Sequence, residues 1–393
     1  MKNILPLALF VFNGFVLKAD FWTQKANYSG GYISNAIAFT IGTKGYVGLG
    51  VDSLSAYHND FWEYDPLTNS WTQKASFPGT PRLGASAFAI GDTGYVGSGW
   101  APGFLNDFWK YDVSSNSWIQ TVSFGGTKRD FASAFPINNK GYFTCGLDSL
   151  GPISDLWEFD PTTNSWTQKA SLANGIFAAV SFVINNKGYV TTGFGPLATS
   201  EYDPVANIWT PKTAFPFLLF SSAGISIGNY GYVGTGITNP TTNDKTKQWW
   251  QYNPVTDTWV QKTDFGGIER ANAIAFSIGQ KGYLGTGEGA DFWEYTPDST
   301  NGMNKNEVSI SELTVYPNPA KDELFVILHS LIGKEKIKII ITDVNGKSIF
   351  IQHWTLDNGQ RIAYINVSCF LKGIYFVTTD NGNQKQTRKI FKE

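Results

Sequence analysis

The chain has little of what most active sites are built from. Among 393 residues there are two cysteines and three histidines. Cys145 and Cys369 lie in different parts of the chain, so a disulfide between them is not the expectation. Together with His58, His329 and His353 they match no usual spacing for a Cys/His zinc site. A Ser/His/Asp set would have to rely on His58, because the other two histidines lie beyond residue 320. No catalytic set, metal site or cofactor is therefore expected. Charge is also scarce. Only 16% of residues are charged, the net charge is −2, and no long basic run precedes the C-terminus. Nucleic acid and anionic membrane surfaces are therefore poor partners. After residue 19 no apolar run is long enough to span a bilayer.

What the chain does have is aromatic residues (16%), 41 glycines and abundant Thr, Ser and Asn. So many rings exceed the needs of one site and must serve packing in a β-protein of extracellular type. Residues 1–19 carry Lys2 and then an apolar run from Ile4 to Leu17, which reads as a secretory signal cut after Ala19. The cleavage motif is imperfect, since Leu17 takes the place usually held by a small residue. Cutting there would leave Asp20-Phe21-Trp22 as the start.

From Asp20 to Asp298 one unit recurs. Its closing tryptophans are Trp22, Trp71, Trp118, Trp166, Trp209 and Trp259, at intervals of 43 to 50 residues, a period that means a propeller or a solenoid. Four strand signals repeat in each unit. They are an alternating small/apolar run (Ala85–Ile90), a Gly-Tyr run ending in glycine (Gly94–Gly99), a Phe-Trp-Glu-Tyr run (Phe61–Tyr64) and a Trp-Thr-Gln-Lys-Ala run (Trp71–Ala75). Asp65-Pro66-Leu67-Thr68-Asn69 is a tight-turn sequence between the last two. The final unit is split: Asp291–Tyr295 supplies its third strand, and Trp22–Ala26 supplies its fourth from the other end of the chain. This arrangement predicts a ring closed by its own termini.

With Gly97-Ser98-Gly99, Tyr111 and Trp118 in their places, residues 20–298 resemble the kelch repeat. The resemblance implies a six-bladed β-propeller. The usual adjacent glycine pair is Gly-x-Gly here, and kelch propellers host many functions.

Residues 299–311 are polar and read as a linker. Residues 312–393 carry seven short strand signals, at Leu313–Tyr316, Glu323–His329, Lys336–Thr342, Ser348–His353, Arg361–Val367, Ile374–Thr379 and Gln386–Lys392. They predict a small Ig-like β-sandwich. Three motifs here, Val315-Tyr316-Pro317-Asn318-Pro319-Ala320, Asp343-Val344-Asn345-Gly346-Lys347 and Leu371–Val377 followed by Arg388–Lys392, resemble the C-terminal sorting domain of type IX secretion cargo. That resemblance implies a Gram-negative host of the Bacteroidetes type, the secretion machinery as a partner, and a secreted or outer-surface location.

Repetition itself points away from function. Gly45–Gly50 and Gly285–Gly289 are not phosphate loops, because strands follow them where a helix would be required. Asp60, Asp107, Asp155 and Asp291 share one register and are expected to fix turns. The tryptophans are expected to pack between blades. Function should lie where the units differ. The loops after the second strands vary in length, and strand order puts them at the same end as the segments before the first strands. Twelve residues before each Gly-Tyr stand Ile33, Arg82, Arg129, Ile176, Leu219 and Arg270. The candidate ligand-binding residues are Arg82, Arg129 and Arg270 with Lys128, Glu269 and Glu288, joined by Trp100, Tyr57 and His58 on neighbouring loops. The leading expectation is a module that binds a glycan or a protein. The kelch resemblance also admits a sugar enzyme of mutarotase type using Glu269 or Glu288 with Arg270. Copper oxidase chemistry of that family lacks its histidines.

Overall fold

The computed structural model describes residues 20–298, 312–329, 335–356, 362–380 and 385–393. The expected signal (1–19) and linker (299–311) lie outside them. The chain divides into two compact units, Met1–Gly302 and Met303–Glu393, and the regular structure of the described residues is all β. Among these residues no helix is long and apolar enough to cross a membrane.

The first unit contains six four-stranded antiparallel sheets. The first sheet runs Ile37–Ile41, Lys44–Gly48, Phe61–Asp65 and Ser70–Gln73. The next four begin at Ser86, Ser133, Val180 and Ala223 and repeat this meander. The sixth is built from Ile274–Ile278, Lys281–Gly285 and Phe292–Thr296, and is completed by Phe21–Gln24. Trp22 stands opposite Tyr295 and Gln24 opposite Trp293 in this last ladder. First strands neighbour one another in cyclic order, and the sixth touches the first. The arrangement is consistent with a β-propeller.

Alternation along the first strand builds two surfaces at once. In Ile37–Ile41 the odd-numbered residues are buried between sheets, while Ala38 and Thr40 face the axis. The second strand is buried after its first residue, and the glycine at its second position is a contact plate for a side chain from the sheet before it. A Cβ on Gly94 would come within 2.3 Å of the Phe39 ring, and one on Gly141 within 2.0 Å of Phe88. Any side chain there would push two sheets apart. The closing tryptophans also bridge sheets, as their shared register led us to expect. Trp118 meets Phe61 edge-on at 5.0 Å, and its Nε1 donates to the Ala75 carbonyl at 2.9 Å.

One end of the ring is tied by a closed circle of backbone hydrogen bonds. Asn35 donates to Asn272, Gly84 to Asn35, Phe131 to Gly84, Ala178 to Phe131, Ser221 to Ala178 and Asn272 to Ser221, all at 2.9–3.1 Å. The six residues have φ between 48° and 60°, a left-handed turn that aims each N–H at the neighbouring unit. The middle residue of a Gly-x-Gly is also left-handed, for example Ser98 at 63° and Thr235 at 52°. The sequence departs from a glycine pair at a position whose backbone still has the glycine conformation.

The second unit has two antiparallel sheets. One orders Glu312–Tyr316, Glu323–His329 and Ile362–Asn366. The other orders Ser348–Leu356, Glu335–Asp343, Gly373–Asp380 and Lys385–Lys392. All seven strand signals read from the sequence appear: five run one to three residues longer, Glu323–His329 is unchanged, and the run expected at Arg361–Val367 is Ile362–Asn366. Leu313, Leu324, Val326, Ile339, Ile341, Ile365, Val377 and Ile390 form the shared core. In the Val344-Asn345-Gly346 turn, Asp343 Oδ1 accepts from the Asn345 and Lys347 amides at 2.9 Å each.

Candidate functional site

The loops after the second strands meet the segments before the first strands at one end of the ring, as strand order requires. Single β-bridges join them: Ser34 to Val51, Leu83 to Trp100, Asp130 to Leu147, Phe177 to Phe194 and Phe220 to Ile237. Three of the loops are folded into two-stranded ribbons, Trp100–Ala101 with Gly103–Phe104, Leu147–Asp148 with Gly151–Pro152, and Ile237–Asn239 with Asp244–Lys245. Unequal loops thus sit on a uniform frame.

The three arginines belong to the frame. Arg82, Arg129 and Arg270 have no solvent exposure. Arg82 grips Asp107 with two bonds of 2.5 and 2.6 Å, donates to the Ser98 and Thr80 carbonyls, and lies 5.0 Å over the Phe77 ring. Arg129 repeats this with Asp155, the Cys145 and Thr127 carbonyls and Phe124. Arg270 repeats it with Asp291, the Thr286 and Ile268 carbonyls and Phe265. Trp109, Trp157 and Trp293 donate to the same aspartates. Burial opposes ionisation of Asp107, yet the Arg82 and Trp109 bonds hold its carboxyl below the ordinary range. A guanidinium with its donors engaged inside the protein offers nothing to a ligand. The three arginines are therefore clamps between loop and third strand, and the aspartates bind side chains more than the turn backbone expected of them.

This pairing was missed in the sequence, although a signal was there. Where arginine is replaced by Ile176 and Leu219, the aspartate position is also lost, to Ala198 and Gln248. Only the first sheet breaks the rule, with Ile33 beside a retained Asp60. There Tyr28 takes the place of the clamp phenylalanine. Its hydroxyl and Asp60 Oδ1 are both buried without a hydrogen-bond partner. Burial, then the nearby Asp60 charge, push the Tyr28 hydroxyl pKa well up. His58 lies alongside, with Nε2 3.2 Å from Asp52 Oδ2 and Nδ1 3.5 Å from Asp60 Oδ1.

The other candidates are scattered round the same end. Tyr57 bridges Val51, and Trp100 packs edge-on against Phe104 at 4.7 Å. Glu288 is engaged by Lys245 at 2.7 Å, while Lys128 and Glu269 are exposed. None of them lines the axial cavity. That cavity, of about 170 Å³, is walled by Ala36, Ala38, Ala179, Ser181, Gly224, Ala275 and similar small or aliphatic residues. The acid and base required by the mutarotase expectation are absent from that wall: Glu269 and Glu288 stand on loops, and Arg270 is inside its clamp. Burial raises the thiol of Cys145 to about 12, so it stays protonated and inert. Cys369 is also free.

An aromatic arc was not anticipated. Phe194 lies 5.3 Å from Phe177 and 5.4 Å from Phe220, and it keeps 40% of its surface exposed. Leu197 is exposed on the same loop and Leu150 on the loop of the preceding unit. Asp130 holds the position in the third unit that Phe177 and Phe220 hold in the fourth and fifth. It is 5% exposed, its Oδ1 has no partner, and burial lifts its carboxyl to about 6.

Residues 314–393 match the secretion system C-terminal sorting domain. This domain marks the chain for export through type IX secretion, as in Bacteroidetes, to the cell surface or beyond, and so implies contact with that machinery. The chain is 25% identical over 151 residues to an endo-acting ulvan lyase of Formosa agariphila, a stretch covering 38% of this chain and 28% of the lyase. It spans well under two thirds of that relative's length. The solved structure of YjhT aligns with a TM-score of 0.56 at 16% identity, covering 67% of this chain and 94% of that one. That likeness concerns the fold alone.

Proposed function

We propose that the first unit is a six-bladed kelch-type propeller that binds a glycan or protein ligand on its loop end. The Ig-like C-terminal sandwich carries it out of the cell after a signal at residues 1–19 is removed. The observation supporting the binding role is the exposed aromatic arc around Phe194, at the end where the loops depart from the repeat. Such an apolar patch on an otherwise polar rim is what interaction surfaces present. The arginines position the loops and do not touch the ligand. The decisive experiment screens the purified chain on glycan and peptide arrays, then repeats the screen with Phe194→Ala. Binding that the substitution abolishes is expected; binding at the opposite end of the ring would overturn the reading. Export is tested by removing residues 314–393, which should leave the protein in the periplasm of its host.

The likeness to an ulvan lyase favours one second reading, a carbohydrate-active enzyme. Depolymerisation of ulvan by the purified chain would establish it; an unchanged polymer after long incubation removes it.

A further inference from the structure

Asp130 is a charge that the fold does not use. At the three clamps the aspartates are answered by arginine and tryptophan donors. Asp130 is as deeply placed, yet Oδ1 has neither donor nor water-accessible surface. Its own main chain is engaged in the bridge to Leu147, with bonds of 3.1 and 2.9 Å, so the residue is fixed in place. Arg129, its neighbour in sequence, is committed to Asp155. Burying a carboxylate oxygen without a donor is costly, and no side chain of the protein is bonded to Asp130 Oδ1.

The surroundings define what could. The bridge places Leu147 beside Asp130 on one side. In the fifth unit the equivalent residue, Phe220, is met from the preceding unit by Phe194. The same register brings Trp100, the counterpart of Phe194, towards Asp130 from the second unit. One acceptor-only group therefore stands in an arc of Trp100, Leu147, Phe177, Phe194 and Phe220. A sugar would need several convergent polar partners, and Asp130 is the one buried unpaired polar group among these residues. A long aliphatic stem ending in a cation fits both features, because the stem lies along apolar surface while the head reaches the carboxylate.

We propose that this arc is a docking site for a polypeptide, and that Asp130 receives a lysine side chain presented between apolar residues. This rests on the loop-end binding reading above and narrows it to one partner chemistry. Asp130 is a specificity residue, and the aromatic arc supplies the area.

The test uses the full secreted chain at pH 7.5 and three pentapeptides, acetyl-Ala-Phe-X-Phe-Ala-amide with X as lysine, norleucine or glutamate. Norleucine keeps the stem and loses the ammonium. By calorimetry the lysine peptide should bind at least tenfold tighter than the norleucine peptide, and the glutamate peptide most weakly. Asp130→Asn, which keeps the shape, should erase the lysine preference and leave norleucine binding intact. Trp100→Ala should weaken both. Equal binding of lysine and norleucine, a preference that survives Asp130→Asn, or no binding of any peptide would overturn the proposal. If the peptides fail while a glycan binds in a Phe194-dependent way, this inference falls and the loop-end reading stands. Failure of peptides and glycans together would remove both.

Discussion

Tyr295 donates its hydroxyl to Asp20 Oδ2 at 2.8 Å, joining residues 275 positions apart in the chain. The same carboxylate accepts the Thr263 amide at 2.8 Å, and Trp22 Nε1 donates to the Thr263 carbonyl at 3.2 Å. In four other sheets the role of Asp20 is played within one turn, by Asn69 for Tyr64, Asn116 for Tyr111, Asn207 for Tyr202 and Asp257 for Tyr252. The seam of the ring is thus an ordinary repeat junction made from two ends of the chain. Deleting residues 20–26 should lower the melting temperature of the whole first unit, since it removes a strand and exposes the edge of Phe292–Thr296. Asp20→Ala should cost about 1–3 kcal/mol, the range for leaving buried partners unsatisfied. A deletion that melts with the intact protein would contradict closure by pairing.

The clamps should behave as fold elements in denaturation experiments. Arg129→Ala leaves Asp155 without its cation and should destabilise by about 3–5 kcal/mol. Arg129→Lys should recover little, because an ammonium cannot reproduce the two-pronged grip and the stacking on Phe124. Loss of ligand binding with unchanged urea stability would instead mark this arginine as a ligand contact.

Ile33 can be tested by giving it the missing clamp. Ile33→Arg together with Tyr28→Phe recreates the set found at Arg82 and Phe77, and offers a donor to the orphaned Asp60 Oδ1. A gain of about 1 kcal/mol is expected from a charged hydrogen bond net of desolvation. Destabilisation in a urea titration would show that Ile33 and Tyr28 have already filled the guanidinium space.

Asp130 sets a pH dependence of known sign. Its folded pKa, about 6, lies above the usual aspartate value because the site is dry. A folded state that resists ionisation loses stability as pH rises from about 4 through 6, and the penalty is complete above that. At pH 8 Asp130→Asn should therefore stabilise the protein, by up to about 3 kcal/mol at 1.36 kcal/mol per unit. At pH 4 the substitution should be nearly neutral. Parallel urea curves of the two proteins at both pH values decide it; an equal difference at both would mean that the carboxyl does not titrate there.

The repeat was legible because packing in a ring is local and periodic. Five of the six units set a glycine beneath a neighbour's ring and the sixth sets Gly282 beneath Ile225, and tryptophans pack against the adjacent sheet, so the same words recur. The split of the last unit between Trp22 and Tyr295 marks the seam in the sequence itself. Strand order alone put the variable loops at one end, and three short motifs identified the export domain.

What the candidate residues do was decided only by the fold. Arginine, aspartate and phenylalanine converge from positions such as 77, 82 and 107, and their separate registers look equally suited to a ligand or to a clamp. Burial settles the matter, and burial belongs to the assembled sheets rather than to any stretch of chain. Asp130 illustrates the same limit from the other side. In the sequence it is one acid beside an arginine; in the ring it is a dry carboxylate whose Oδ1 has no partner, because Arg129 turns to Asp155 and the bridge sets Leu147 beside it.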